Sequence, residues 1–264
     1  MKSDILTKDV KDLQDEYRKD GVVLIRNALT PYWLTALREA IELQVAKKKR
    51  YFDNRNMRME SGIFQEFCLN SGVGRMVADL NKSNCAMLVF DQMFVKEAGT
   101  KTRTGWHTDQ PYWPIVGPIM TTWIALDHVD DDNGALEFIP GSHTWGKKYH
   151  PFITDQLGSF VKYMKPDDPQ YDDMPDFEAD RDKYDIKSWA MEPGDLLAFD
   201  GFIVHSAKGN RTSTRRRRGY AVRFATQGAT YDPSQGVAEW LEDSSLRPGD
   251  PFASQKFPVI FQSG

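Results

Sequence analysis

The chain has 264 residues, 40% hydrophobic and 27% charged, with a formal net charge of -4, which is enough length and apolar content for a substantial core and excludes a disordered majority. A pI near 5.8 argues against a general nucleic-acid binder, which is basic over its whole domain. Cys68 and Cys85 form no C-x-x-C unit, the opening M-K-S-D-I-L-T-K-D-V has no apolar signal region, and no run of about 18 apolar residues occurs; these features predict a cytoplasmic protein with no disulfide framework and no membrane partner.

Along the chain, Val10, Leu13 and Tyr17 fall at helical spacing behind a possible Thr7 cap, with Gly21 as the stop. Gly21 to Arg26 reads as a short buried strand. Thr30-Pro31 opens a second helix by the cap-then-proline signal, with Leu34, Leu37 and Ile41 as its stripe until the basic run Lys47 to Arg50. That run is a solvated helix end. Tyr51 to Gly62 is polar and aperiodic, which predicts a mobile loop bordering the site. Ile63 to Leu80 predicts a third helix with Phe64, Phe67, Cys68, Val73 and Val77 in the core. From Ala86 to Lys96 onward, strand signals recur with turns between them.

Thr121 to Val129 is a strand, and Asn133-Gly134 is the strongest short hairpin signal before Ala135 to Ile139 returns. Pro193-Gly194-Asp195 turns before Leu196 to Phe199, and Ile203 to Ala207 and Tyr220 to Thr226 are further strands. Helices first and short strands after predict a mainly β fold with helical buttresses, a sandwich or jelly roll. It is expected as one domain over residues 1–264, with N-terminal helices 1–80 packed on a jelly-roll core 86–264. Residues 155–187, rich in Asp, Pro, Tyr and Lys, predict a lid or insert.

The chemistry concentrates in G-W-H-T-D-Q-P-Y-W, Gly105 to Trp113. In an extended strand residues two apart point the same way, so His107 and Asp109 can meet one ion. A second histidine would complete the 2-His-1-carboxylate set that holds non-haem Fe(II) on one face and leaves the opposite positions open. Of the five histidines, His205 is the candidate, in the buried-looking strand F-I-V-H-S-A. His128, His143 and His150 sit at turns and loops and read as structural or surface residues. Gln110, Tyr112, Trp113, Trp145 and Phe202 are candidates to wall a substrate pocket, since aromatics with polar tips suit a small amphipathic ligand. Ordinary sheet packing is the alternative for each. Arg211 and Arg215 to Arg218 read first as a solvated turn, with a phosphate clamp or partner surface as alternatives.

Three linked stretches carry a resemblance: W-H-T-D-Q-P-Y-W, then W-I-A-L-D-H-V-D-D-D-N-G-A-L-E-F-I-P-G-S-H, then P-G-D-L-L-A-F-D-G-F-I-V-H-S-A-K-G-N-R-T-S-T-R-R-R-R-G. Together they resemble the phytanoyl-CoA dioxygenase family of Fe(II)/2-oxoglutarate-dependent oxygenases over most of the chain, more weakly through 155–187. The resemblance implies a double-stranded β-helix of the cupin-like jelly-roll type, with His107, Asp109 and His205 as metal ligands and Fe(II), O2 and the cosubstrate 2-oxoglutarate as cofactors. It implies an arginine after the distal histidine for the far carboxylate of 2-oxoglutarate: Arg216 by direct spacing, Arg217 if one residue is inserted. Neighbours on a strand face opposite ways, so only one can face in, and Arg217 is preferred. Met93 and Trp123 match family positions that line the cosubstrate pocket, with Gln92 and Thr121 as weaker candidates. The small hydroxylic residue often found two after the distal histidine is Ala207 here, with Ser206 beside it.

The implied reaction is hydroxylation of an unactivated C–H of a small molecule, with release of succinate and CO2. Related halogenases carry a small residue where Asp109 stands, which favours hydroxylation over halogenation. The same cofactors also serve desaturation, epimerisation and ring formation in the family. The competing readings are a nucleic-acid or protein demethylase, which the acidic balance disfavours, and a non-catalytic jelly-roll binding module.

Overall fold

The structure is a computed structural model that describes residues 10–47, 54–154 and 160–264. The helices come first: α1 (Gln14–Asp20), α2 (Pro31–Ala46), α3 (Gly62–Asn70) and α4 (Val73–Leu80), with β1 (Val22–Ile25) between the first two. The strands that follow are β2 (Cys85–Lys96), β3 (Thr104–His107), β4 (Ile115–Val116), β5 (Ile119–Ala125), β6 (Leu136–Phe138), β7 (Phe152–Thr154) and β8 (Phe160–Tyr163). Then come β9 (Lys187–Ser188), β10 (Leu196–Asp200), β11 (His205–Ala207), β12 (Arg217–Thr226), β13 (Thr230–Tyr231) and β14 (Val259–Gln262).

A major sheet runs β1-β10-β5-β12-β2-β14 and a minor one β3-β11-β6-β9. Their pairs are antiparallel. Leu136, Phe138 and Ala207 of the minor sheet share one buried cluster with Trp123, Leu197, Phe199 and Ala221 of the major sheet. The two sheets therefore face each other, as the sandwich or jelly roll predicted from strand rhythm requires, and in the jelly-roll form that the family resemblance implies. On the opposite side of the major sheet, Met93, Met120, Ile124, Tyr220, Val222 and Phe224 pack against Trp33, Leu37, Phe64, Phe67 and Val77 of the helices. Strand alternation gives each strand one row for either layer.

Local signals place the helices well. The Thr30 hydroxyl accepts from Trp33 N (3.4 Å) with Pro31 in the first turn, and α1 stops where Gly21 N donates to Tyr17 O (2.8 Å). Thr7 and residues 48–50 lie outside the described residues. The long helix expected over 63–80 is two helices, because Gly72 takes a left-handed conformation (φ 85°) between them. The described part of the expected mobile loop, 54–61, is anchored: Met57 is fully buried and Asn56 N donates to Asp91 O (2.7 Å).

The hairpin expected at Asn133-Gly134 is corrected. The turn forms, with Ala135 N donating to Asp130 O (3.0 Å), but β5 pairs with β10 and β12 while β6 pairs with β11 and β9. The turn hands the chain from one sheet to the other, because both rows of β5 are buried and its edges are already taken. Within 155–187, the described residues 160–187 carry their own anchors. Phe177 is fully buried beside Trp106, Tyr149 and Val204, and Arg181 pairs with Glu137 at 2.6 Å.

Candidate metal centre and its cavity

His107 ends β3, and His205 begins β11 directly opposite it in the antiparallel register. Their ring centroids are 4.1 Å apart. Asp109 does not reach them by strand alternation as expected. It lies past the end of β3 in a helical conformation (φ -76°, ψ -34°), where the chain turns into Gln110–Tyr112. The turn still brings Asp109 Oδ1 to 3.6 Å from His107 Nε2 and 4.0 Å from His205 Nε2. Among the described residues these three form the one cluster of His, Cys, Asp and Glu whose ligand atoms lie mutually within 4.8 Å.

Each donor is oriented by a neighbour. His107 Nδ1 lies 2.8 Å from Gly105 O and His205 Nδ1 3.1 Å from Ile203 O. A carbonyl accepts, so each Nδ1 carries the proton and each Nε2 lone pair points to the shared centre. Thr121 Oγ1 donates to Asp109 Oδ2 (2.8 Å), leaving Oδ1 for an ion. Burial, then the adjacent His107 ring, holds the His205 imidazole down to about 3, so it is neutral and ready to ligate. Burial pushes the Asp109 carboxyl up, but the adjacent His107 and His205 rings and the Arg223 guanidinium hold it well below the usual carboxylate range. Two donors each about 2.1 Å from one ion are at most about 4.2 Å apart, and both separations from Oδ1 fall within that limit. Two imidazoles and a carboxylate suit Fe(II).

The cluster opens into a cavity of about 750 Å³ between the sheets. Trp123, Gln92, Thr121, Ser206 and Arg217 of the expected cosubstrate set line it, as do Tyr112 and Trp113 of the expected substrate set. Arg217 is 2% exposed, its Nη2 donates to Gly134 O (2.7 Å), and its guanidinium lies 5.2 Å from the Trp123 ring centre. Gly219 makes room for that indole: a Cβ there would lie 2.1 Å from the Trp123 ring. The Ser206 hydroxyl donates to Glu137 (3.4 Å). Tyr112 contributes its ring, since its hydroxyl is engaged by the backbone N and O of Phe152 (2.9 and 3.0 Å).

Five expected residues lie elsewhere. Met93 is in the helix-side core, because on β2 it alternates with Gln92 and Phe94, which face the cavity. Arg216 points outward to Glu42 and Glu97 (2.7 and 2.8 Å), one residue out of phase with Arg217. Gln110 is buried with its amide on Ile115 O (3.1 Å). Trp145 is 41% exposed, resting on Phe177 and Tyr184. Phe202 sits in the turn before β11, its N bonded to Asp200 Oδ1 (2.8 Å), and Phe199 lines the cavity instead. The remaining arginines of the cluster meet carboxylates: Arg211 with Asp132, Arg215 with Asp130, Arg218 with Asp127. His128 lies exposed between Asp130 and Glu192, and His143 reaches Arg18 O. His150 is buried against Tyr163 and Tyr171.

Lys96, Arg223, Phe94 and Phe152 also line the cavity and were not anticipated. For Arg223 the signal was present: six residues after Arg217 on one strand it shares the inward row. Its guanidinium lies 4.6 Å from the Phe90 ring centre.

The family model described as phytanoyl-CoA dioxygenase matches residues 17–219. Among curated relatives, a phytanoyl-CoA dioxygenase domain-containing protein 1 homolog of Caenorhabditis briggsae is 25% identical over 72% of this chain and 58% of its own length. The peroxisomal phytanoyl-CoA dioxygenase of Homo sapiens is 22% identical over 88% of this chain and 65% of its own. The chain thus spans less than two thirds of either relative. Solved structures of similar fold include the epimerase SnoN from nogalamycin biosynthesis (TM-score 0.72, 21% identity, 95% of this chain and 98% of that one). The carbocyclase SnoK from the same biosynthesis gives a TM-score of 0.72 at 23% identity, over 96% of both chains. EctD from S. alaskensis, solved with 2-oxoglutarate and 5-hydroxyectoine, gives 0.69 at 16% identity, over 96% of this chain and 89% of that one.

Proposed function

Because the chain belongs to the phytanoyl-CoA dioxygenase family of Fe(II)/2-oxoglutarate-dependent oxygenases, we propose that it oxidises an unactivated C–H of a small molecule in the cavity between its sheets. The observation that carries this reading is the three-donor cluster, with both Nδ1 atoms and Asp109 Oδ2 held by neighbours so that His107 Nε2, His205 Nε2 and Asp109 Oδ1 face one point. Bound there with 2-oxoglutarate and O2, iron supplies an oxidant that removes hydrogen from the substrate, with release of succinate and CO2.

The chain's own residues divide the remaining work. His107, Asp109 and His205 hold the metal from one side and leave the cavity side for ligands. Arg217 receives the far carboxylate of 2-oxoglutarate, since a buried guanidinium stays charged and offers a planar fork. Trp123 holds that guanidinium in place, and Gln92 and Ser206 border the cosubstrate. Tyr112, Trp113, Phe90 and Phe94 give the substrate an apolar wall that keeps water from the reacting carbon. Tyr112 ties this wall through Phe152 to β7, whose partner strand β8 lies in the described part of the insert, which supports a covering role for residues 160–187.

Hydroxylation is the first reading. Epimerisation or ring formation is the second, favoured by the full-length likeness in fold to proteins named as an epimerase and a carbocyclase. A cytoplasmic site of action fits the sequence, and among the described residues no helix is long and apolar enough to cross a membrane. The deciding experiment is a metabolite-library screen for substrate-stimulated succinate release, with product mass read for each hit. A gain of one oxygen supports hydroxylation, and loss of two hydrogens or no mass change supports the second reading. Failure of every library member together with no 2-oxoglutarate binding at the metal-loaded site returns the chain to a binding module.

A further inference from the structure

The two ends of the cavity are apolar in different ways. At the Arg217 end the apolar lining is aliphatic. Lys96 is the partner of Arg217 in the register of β2 and β12, its Nζ donates to Ala207 O (3.4 Å), and Val95, Ala207 and the β6 partner of Ala207, Leu136, line the walls there. Phe90 faces the same cavity from six residues earlier on β2, roughly 20 Å along the strand. Around it the lining is aromatic: Phe90, Phe94, Tyr112, Trp113, Phe152 and Trp240. Phe90 meets its neighbours edge to face, Trp113 at 5.6 Å and 84° and Trp240 at 4.9 Å and 90°. The Arg55 guanidinium lies over the Trp240 ring at 4.5 Å. Trp240 is brought in by residues 236–241, which lie beyond the family match, so membership of the family does not imply it. Val237 N and Ala238 N donate to Tyr112 O (3.3 and 3.0 Å), Leu241 is buried, and Lys256 Nζ donates to Trp240 O (2.9 Å). At Gly236 a Cβ would lie 2.5 Å from the Trp113 carbonyl carbon, so only glycine lets this segment close on Trp113.

We propose that the substrate is built on a flat ring system that lies in this aromatic end, and that Trp240 is the residue that selects it over a flexible acyl chain. The inference rests on the reading of the cavity as the substrate site and names the class of molecule it takes. Rings held in edge-to-face contact offer fixed π faces and edges that complement another ring. An acyl chain gains no such pairing and gives up the freedom of each bond frozen on binding, whereas a fused ring has none to give up. Chains are best received by side chains that bend to them, methionine above all. Among the described residues no methionine lines the cavity, and Leu136 is at the other end. About 750 Å³ lies within the range of sites that hold a drug-sized molecule.

The test uses the full chain loaded with Ni(II), which binds without turning over, and saturated with 2-oxoglutarate. Two monocarboxylates of equal carbon count, 2-naphthoate and undecanoate, are titrated by calorimetry, so that a ring is compared with a chain at the same charge. The wild type should bind 2-naphthoate at least about tenfold more tightly. Trp240→Leu should erase that preference by weakening the ring acid about tenfold, with undecanoate and Ni(II) affinities unchanged. Trp240→Phe, which keeps a ring, should retain most of it. Undecanoate bound by the wild type as tightly as 2-naphthoate, neither acid bound, or a preference that survives Trp240→Leu would overturn the proposal. The oxygenase reading fails separately. If the Ni(II)-loaded chain binds no 2-oxoglutarate and still prefers the ring acid, that reading falls and the ring site stands; if it binds 2-oxoglutarate and shows no preference, the ring site falls alone.

Discussion

The two faces of the major sheet are built from the same strands and differ in what their side chains must do. Toward the helices, Met93, Tyr220, Val222 and Phe224 form an apolar layer, and the buried carboxylate of Asp91 is satisfied locally by Tyr220 Oη (2.6 Å) and Arg58 N (2.9 Å). Toward the cavity, the alternating residues Gln92, Lys96, Thr121, Arg217 and Arg223 are polar or charged. Burying such groups costs stability unless they find partners, so the helix face holds the fold while the cavity face is arranged for ligands. Residues adjacent in sequence should therefore fail in different ways when changed.

The sharpest test of that division is at the metal cluster. Asp109→Ala or His205→Ala should lower iron-dependent succinate production at least about a thousandfold with little change in melting temperature; unchanged turnover would break the assignment. The opposite phenotype is expected across the sheet, where Phe224→Ala should cost about 3–5 kcal/mol of stability by denaturant titration while the folded fraction still binds metal. Within one strand, Arg217→Ala should raise the 2-oxoglutarate requirement about a hundredfold or more, whereas Arg216→Ala, which loses only outward pairs, should leave it unchanged. A reversed result would mean that the inward row is misplaced. Thr121→Val removes the hydroxyl that holds Asp109, and metal affinity by equilibrium dialysis should fall about ten- to a hundredfold with the melting temperature nearly kept.

The smallest effect is a pH dependence on the helix face. Burial lifts the Asp91 carboxyl to about 6, against the hydrogen bonds of Tyr220 and Arg58 N. The fold therefore holds this proton more tightly than the unfolded chain does. Its contribution to stability is complete below about pH 4 and is lost as pH rises through about 6. The melting temperature of the wild type should fall relative to Asp91→Asn over that interval, and parallel curves would show that Asp91 does not titrate there.

Much of the metal cluster was legible before the fold. H-x-D beside aromatics, with a distal histidine in an apolar strand, names His107, Asp109 and His205, because ligand types are written in the residues themselves. Strand alternation alone does not bring the pair together, since Asp109 reaches His107 through a turn after the strand. Trp145 and Phe202 show the limit on the substrate side. Both are aromatic and near the motifs, yet one lies on the outer layer and the other in a turn, and composition cannot tell an inner face from an outer one.

By itself the sequence determined the order of helices and strands, the jelly-roll class and the chemical types of the metal ligands, because periodicity, turn residues and ligand chemistry are local properties. Only the tertiary structure decided which row of each inner strand faces the cavity: Arg217 rather than Arg216, Gln92 rather than Met93, and Lys96 beside the arginine instead of at a plain strand end. Where both faces of a strand are buried, hydrophobic alternation vanishes, and side-chain direction is then fixed by register with strands far away in the chain.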